Sequence, residues 1–376
     1  MKTCFIIRHS GQQARLAETL LNVPFNGLQR LGLTRAALLR DELATVSRAC
    51  CKQIRESEMA RLSVAAACLL CAFTSSARAQ TVLKTERCLS GSVIQDRLLE
   101  KEYVAGDFHL FYSLQGNDRL HHTGDSNGNG TPDSIENMAI QLQAAQRFYS
   151  GALGLRSPLR QKVFANAGQI NIYVLRKDRG KGAAFDKVSR ERMADGTTLP
   201  CALKLIVDTS VNPLRNVTPA HELFHLYQYG YGVFKQRWYL EGMARWLEMP
   251  YRDSSKGMAA AAPSLNCPDY ANASYDAAIF WHRYAQRYFA PVDVPAGLRQ
   301  LTYTDGSPVF KQSALPGGAM LAPFFDSLFR ASQQISQQQQ VANTQWTEKM
   351  QRSPQFSQDI CDALSAITPQ RGAAAR

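Results

Sequence analysis

Apolar positions along the chain follow first a period of two and later a period of about 3.6, and that change divides the sequence. Val104, Phe108, Leu110 and Tyr112 predict a strand over 104–113, although Gly106 and Asp107 weaken its start. A polar loop over 115–134 follows. Ile140, Leu142, Ala145 and Phe148 then fall on one side of a helix predicted over 135–153, and Gly151 and Gly154 punctuate its end. Ile170, Ile172 and Val174 alternate with Asn171 and Tyr173 in a second strand. Residues 176–200, rich in Lys, Arg and Gly, read as a long loop leading to a third strand over 203–207. Helices are predicted near 219–229, 236–248 and 274–289. The C-terminal part reads as mostly helical, with the glutamine run 333–340 as surface or linker. Strands first and helices after predict one α+β domain, and no internal repeat breaks it.

The first of these later helices carries candidate chemistry. Thr218-Pro219-Ala220-His221-Glu222-Leu223-Phe224-His225 contains HExxH, with Thr218 and Pro219 suited to a helix start and Gly230 to its end. Imidazoles four residues apart lie about 40° apart around a helix, so His221 and His225 can reach one metal ion. Glu222 stands beside that ion, where it can act as general base on a water. A third ligand, Glu241, stands sixteen residues beyond His225 in Trp238-Tyr239-Leu240-Glu241-Gly242-Met243-Ala244-Arg245-Trp246-Leu247-Glu248. Gly230 and Gly232 let that helix fold back, and the small Gly242 and Ala244 are expected to let the two helices approach. Two histidines and a glutamate leave one tetrahedral position open, the pattern of a catalytic zinc site. Tyr275 is the candidate for stabilising the oxyanion, with His282 behind it.

A second metal signal lies upstream. Asp125, Asn127, Asn129, Asp133 and Glu136 occupy positions 1, 3, 5, 9 and 12 of a calcium loop, Gly130 makes the turn at position 6, and the Thr131 carbonyl fills position 7. With no helix before it, the loop is expected to hold a structural calcium and to fix the helix that Glu136 begins.

Composition and charge then narrow the class. Hydrophobic residues make up 45% and charged residues 20%, which are globular values and exclude wholesale disorder. The net charge of +12 has no basic helix behind it. Half of the excess falls before residue 80, where 11 Lys/Arg face 5 Asp/Glu, so a solvated surface is expected and no nucleic-acid partner. Met59-Ala60-Arg61, the apolar stretch from Leu62 to Phe73 and Ala77-Arg78-Ala79 form the parts of a secretory signal peptide over 59–79, with Gln80 first in the mature chain. Residues 1–58 are accordingly expected to lie upstream of the working protein, residues 80–365 to form the domain, and residues 366–376 to form a disordered tail. The apolar run is too short for a membrane anchor, and the product is expected to be secreted or periplasmic. Four of nine cysteines follow the cleavage point, Cys88, Cys201, Cys267 and Cys361. They predict two disulfides, in any of three connectivities.

The motifs together resemble a family of secreted bacterial zinc metallopeptidases, gluzincin-like and first recognised in myxobacteria. That family carries an NGNG-x-PD-x-x-E loop, HE-x-x-H, W-x-x-E-G-x-A-x-W-x-E and Y-x-x-A-x-F-W in this order. Here they are Asn127–Glu136, His221–His225, Trp238–Glu248 and Tyr275–Trp281, and the resemblance spans residues 104–290. It implies a zincin-like fold, a mixed sheet packed on active-site helices, a glutamate as third zinc ligand, and a peptide or protein substrate. Arg245 stands four residues after Glu241, where better-known gluzincins have an acid, so the partner that orients His221 is left open. Oligomeric state and cleavage preference also stay open. The alternative to an endopeptidase is an exported, calcium-stabilised binding protein on an idle zincin scaffold.

Overall fold

The computed structural model describes residues 88–253, 264–342 and 345–369. The expected extension over 1–58, the signal peptide over 59–79 and most of the expected tail lie outside the described residues. Residues 366–369 of that tail are described and pack back on the domain, where the Tyr284 and Thr368 hydroxyls are 2.6 Å apart.

A six-stranded mixed sheet is built from β1 (Leu89–Ser90), β2 (Lys101–Ala105), β3 (Phe108–Tyr112), β4 (Gln169–Val174), β5 (Gly182–Arg190) and β6 (Ala202–Val207), in the order β1-β5-β6-β4-β3-β2. β3, β4 and β6 run parallel, β2 runs antiparallel to β3 and β5 antiparallel to β6, and β1 pairs in parallel with β5. The period of two explains the layers. Phe108, Leu110, Ile170, Ile172, Val174, Leu203, Leu205 and Val207 face one side and join the main core. Phe111, Tyr173 and Ile206 face the other, where Ile94, Leu99, Met193 and Leu199 cover them. Each such side chain, fully buried, contributes about 1.5–3 kcal/mol.

Helices α1 (Asp133–Arg147) and α2 (Thr218–Tyr231) pack in the main core. Beyond them lie α3 (Arg237–Leu247), α4 (Ala278–Tyr288), α5 (Leu321–Gln338) and α6 (Ser357–Ser365). α3 is fixed to α4 by Trp238 and Trp281, whose rings stack at 5.3 Å and 5°. Trp281 Nε1 also donates to the Trp238 carbonyl. This aromatic pair sits one turn before Glu241 and sets the position of the helix that carries it.

Three expectations are corrected. The single strand over 104–113 is a hairpin: Ala105 pairs with Phe108 and leaves Gly106 and Asp107 as a two-residue turn, with Gly106 at φ +62°. The loop over 176–200 contains β5, a strand that small and charged residues disguise because it runs along the sheet edge and is half exposed for most of its length. The glutamines of 333–340 are exposed, as expected of a surface run, but most of them belong to α5 and not to a linker.

Disulfides join Cys88 to Cys201 and Cys267 to Cys361. The second closes a separation of 94 residues and ties the turn before Tyr275 to α6. Replacing both Cys267 and Cys361 by Ser should lower stability by about 2–5 kcal/mol, read from urea unfolding curves.

Candidate metal centre

α2 presents His221, Glu222 and His225, all buried, to the face on which α3 lands. Val217 takes the cap position and Thr218 opens the helix, which therefore starts one residue earlier than expected. Gly230 lies inside α2, where a side chain would strike Gln161, and the helix ends at Tyr231. From α3, the Glu241 carboxylate comes within 3.3 Å of His221 Nε2 and 3.6 Å of His225 Nε2. One ligand atom from each of the three residues lies within 4.8 Å of the others. Two ligands about 2.05 Å from one tetrahedral zinc stand about 3.3 Å apart, so both carboxylate–imidazole separations suit that ion.

The other ring nitrogens are held as well. His221 Nδ1 donates to Glu248 Oε1 at 2.9 Å, and His225 Nδ1 donates to Gln228 Oε1 at 2.7 Å. Gln228 in turn donates to the carbonyls of Tyr239 and Leu240, locking α2 to α3. Glu248 Oε2 is gripped by Arg245 at 2.6 Å and by Arg252 Nε at 2.8 Å. These contacts leave Nε2 of both histidines aimed at the common point. Sequence reasoning missed Glu248 and Gln228 as orienting partners. Their signals were available: Gln228 lies three residues after His225, and Glu248 is the last residue of the Trp238 motif.

The electrostatics follow from burial among carboxylates. Burial opposes the charged form of His221, but hydrogen bonds with Glu241 and Glu248 outweigh it and raise its pKa to about 10. Burial also works against the Glu241 carboxylate. Its hydrogen bonds with His221 and His225 nevertheless hold it well below the usual carboxylate range. Glu248 is likewise lowered, against its burial, by His221 and the two arginines. Glu222 is raised, mainly by burial and despite the nearby histidines.

Glycine positions the general-base candidate. A side chain on Gly182 of β5 would sit 2.3 Å from Glu222 Oε1, so only glycine leaves room for the carboxylate. Gly242 has a different neighbour from the one expected. It faces Ser274 and Ala277, with a Cβ there 2.8 Å from that of Ala277, so it seats α3 on the turn that bears Tyr275. Tyr275 is half exposed, its ring 6.0 Å from that of His221, and burial followed by the charge of Glu241 raises its hydroxyl above the ordinary range. It therefore stays protonated as a donor at neutral pH. His282 is buried, with Nδ1 unpartnered among the described residues.

In the upstream loop, two of the predicted ligands converge on a third. Asn127 and Asn129 donate to Glu136 at 3.1 and 2.7 Å, and Asp125 accepts from the backbone of Asn129 and Gly130. The Asn127 and Asn129 oxygens face away from Glu136 and accept from the backbone amides of Asn129 and Thr131, so calcium ligation would require both amides to turn and give up those bonds. Gly128 and Gly130 supply positive φ at the bends. The Thr131 amide donates to Asn129 Oδ1, and Asp133 accepts from Ser126 at the start of α1.

Two measurements address these sites. Metal-free His221 carries a proton at neutral pH, because its folded pKa lies above the unfolded value of about 6.5. That stabilisation is complete below about pH 6.5 and is lost as pH rises towards 10. Zinc needs the neutral ring, so calorimetric titration at pH 7.5 in buffers of different ionisation enthalpy should show about one proton released from His221. In the same titration Glu248→Gln should bind zinc about 10–100-fold more weakly. For the loop, calcium at about 100 times its dissociation constant should stabilise the fold by about 2.7 kcal/mol in thermal or urea melts, and Asp125→Ala should abolish the response.

Compared with known proteins, the chain matches no protein-family model, no curated protein and no solved structure.

Proposed function

We propose that this chain is an exported zinc metallopeptidase with a zincin-like fold, hydrolysing peptide bonds in peptides or proteins. The observation that carries the reading is the convergence of His221 Nε2, His225 Nε2 and the Glu241 carboxylate beside a buried Glu222. When bound by these three residues, zinc would supply a Lewis acid for the scissile carbonyl and activate water at its open position.

The chain's own residues do the rest. Glu222 accepts the proton of the attacking water and delivers it to the leaving amine, and its raised pKa brings it closer to the pH at which both transfers work. Tyr275 donates its hydroxyl to the developing oxyanion. Glu248 and Gln228 keep the imidazoles in the tautomer and orientation that ligation needs. β5 brings the substrate. Its ladder partner β6 occupies one edge, and β1 covers only Ser189 and Arg190 on the other. Among the described strands nothing pairs with the outer edge from Gly182 to Lys187, the end that passes Glu222. An extended peptide can add there by backbone hydrogen bonds, its scissile bond set by the register.

Export is supported by the signal-peptide pattern over 59–79 and by two disulfides, which persist in oxidising compartments. No helix among the described residues is long and apolar enough to cross a membrane. The loop from Asp125 to Glu136 is proposed to hold a structural calcium that stabilises the start of α1.

Elemental analysis and a quenched-peptide assay test this together. Wild type should carry about one zinc per chain and cleave peptides. Glu241→Ala should lose the zinc, whereas Glu222→Gln should keep it and lose about 10²–10⁴-fold or more in turnover. Full zinc with no cleavage by wild type across a diverse peptide pool would leave the idle, calcium-stabilised binding scaffold as the better reading. Unchanged turnover in Glu222→Gln would remove the mechanism.

A further inference from the structure

Behind the metal centre, on the far side of Glu248, lies a cavity of about 380 Å³ between the C-terminal end of α3, the loop before α2 and the segment around 303–311. Its volume is at the small end of ligand-binding cavities. Its charge is one-sided: Arg215, Arg245, Arg252 and Lys311 line it, and Asp253 is the one acid among its lining residues. Arg245 and Arg252 share the Glu248 carboxylate. Arg215 and Lys311 have no ion-pair partner within 4 Å among the described residues. Counting Asp253, Glu248 and Asp305, whose charge reaches Lys311 and Tyr303, against the four cations leaves one positive charge uncompensated around the cavity. The buried Tyr303 hydroxyl also lines it. That oxygen accepts from Gln141 Nε2 at 2.8 Å, and its own hydrogen meets no acceptor among the described residues. Guanidinium groups, an ammonium and a hydroxyl donor around one small space are the complement of a compact dianion such as a phosphate or dicarboxylate.

We propose that this cavity binds a small dianion, and that the dianion is coupled to the metal centre through Arg245, Arg252 and Glu248. The coupling has a short path. Both arginines contact one Glu248 oxygen, and the other oxygen accepts from His221 Nδ1 at 2.9 Å. An anion in the cavity draws the guanidinium groups towards itself and leaves Glu248 less neutralised. Glu248 then accepts more strongly from His221, which makes the imidazole a better ligand at Nε2. Binding at the two places is therefore reciprocal, each tightening the other. The binding half stands on the cavity alone; the coupling half rests on the zinc reading given above.

Calorimetric titration of the purified full chain, metal-free and at constant ionic strength, tests the first half with inorganic phosphate and with succinate. At least one should bind saturably, one per chain. Arg215→Gln/Lys311→Gln, which leaves both Glu248 partners in place, should weaken that binding about tenfold or more with an unchanged melting temperature. Either single substitution should give a smaller loss in the same direction. Absence of saturable binding by both anions, or equal binding by the double variant, would overturn the site. Zinc affinity is then read by competition with a chromophoric chelator, with and without the bound anion. It should rise about fivefold or more in wild type and stay constant in the double variant. An anion that binds while zinc affinity stays unchanged would overturn the coupling and leave the cavity as an independent site. A chain that takes the anion but no zinc at all would overturn the coupling together with the zinc reading, and the site would stand.

Discussion

His221 is gripped from both ends of its ring, and most of the site's architecture follows from that demand. Glu248 meets Nδ1 and Glu241 approaches Nε2, while the ring itself is buried. The two acids stand seven residues apart at either end of the second half of α3. Seven residues are close to two helical turns, so both carboxylates emerge on one face, about 10 Å apart along the axis. An imidazole placed against that face can touch one acid with each nitrogen. α3 has to lie against α2 at one height for this to happen, and Gln228 reinforces that height by bonding the carbonyls of Tyr239 and Leu240. The stacked Trp238 and Trp281 then hold α3 against α4.

Burying so many charges in one place would be costly without compensation. Each carboxylate here has a named partner: Glu241 has two imidazoles, and Glu248 has an imidazole and two guanidinium groups. Glu222 is the exception. It is buried with no hydrogen-bond partner of its own among the described residues, in space that Gly182 leaves open, and burial raises its pKa. A polar group left under-compensated beside a fully compensated cluster is the arrangement expected of the group that does the proton transfer, because stabilising it in one protonation state would slow its passage to the other.

Legibility in the sequence followed the range of the physics. His221, Glu222 and His225 were readable because four residues on a helix fix an angle without reference to anything else. Strands β4 and β6 were readable because Ile170, Ile172 and Val174, and Leu203 to Val207, are apolar where the core requires it. β5 was not, since Gly182, Ala183 and Ala184 are small and Asp186 and Lys187 are charged. An edge strand needs no apolar alternation when most of it is half exposed on both faces. Gly106 and Asp107 were weighed as poor strand residues when they are good turn residues, an ambiguity only the pairing of Ala105 with Phe108 resolves. Gly242 was rightly read as a close-approach residue, but its partner is the Tyr275 turn, and no local pattern names a partner across thirty residues.

Arg245 shows how far one departure from an expected pattern can carry. An acid four residues after Glu241 would sit one turn on and face the histidines. With arginine there, the acid that orients His221 comes from Glu248, at the C-terminal cap of α3. A carboxylate at a helix C-terminus is disfavoured by the macrodipole, so cationic neighbours are needed to hold its charge. Arg245 and Arg252 are those neighbours, at 2.6 and 2.8 Å. Their guanidinium groups in turn line the cavity behind. Placing the orienting acid at the helix end thus brings a cationic surface to within one carboxylate of His221, which is the contact through which the proposed anion would act.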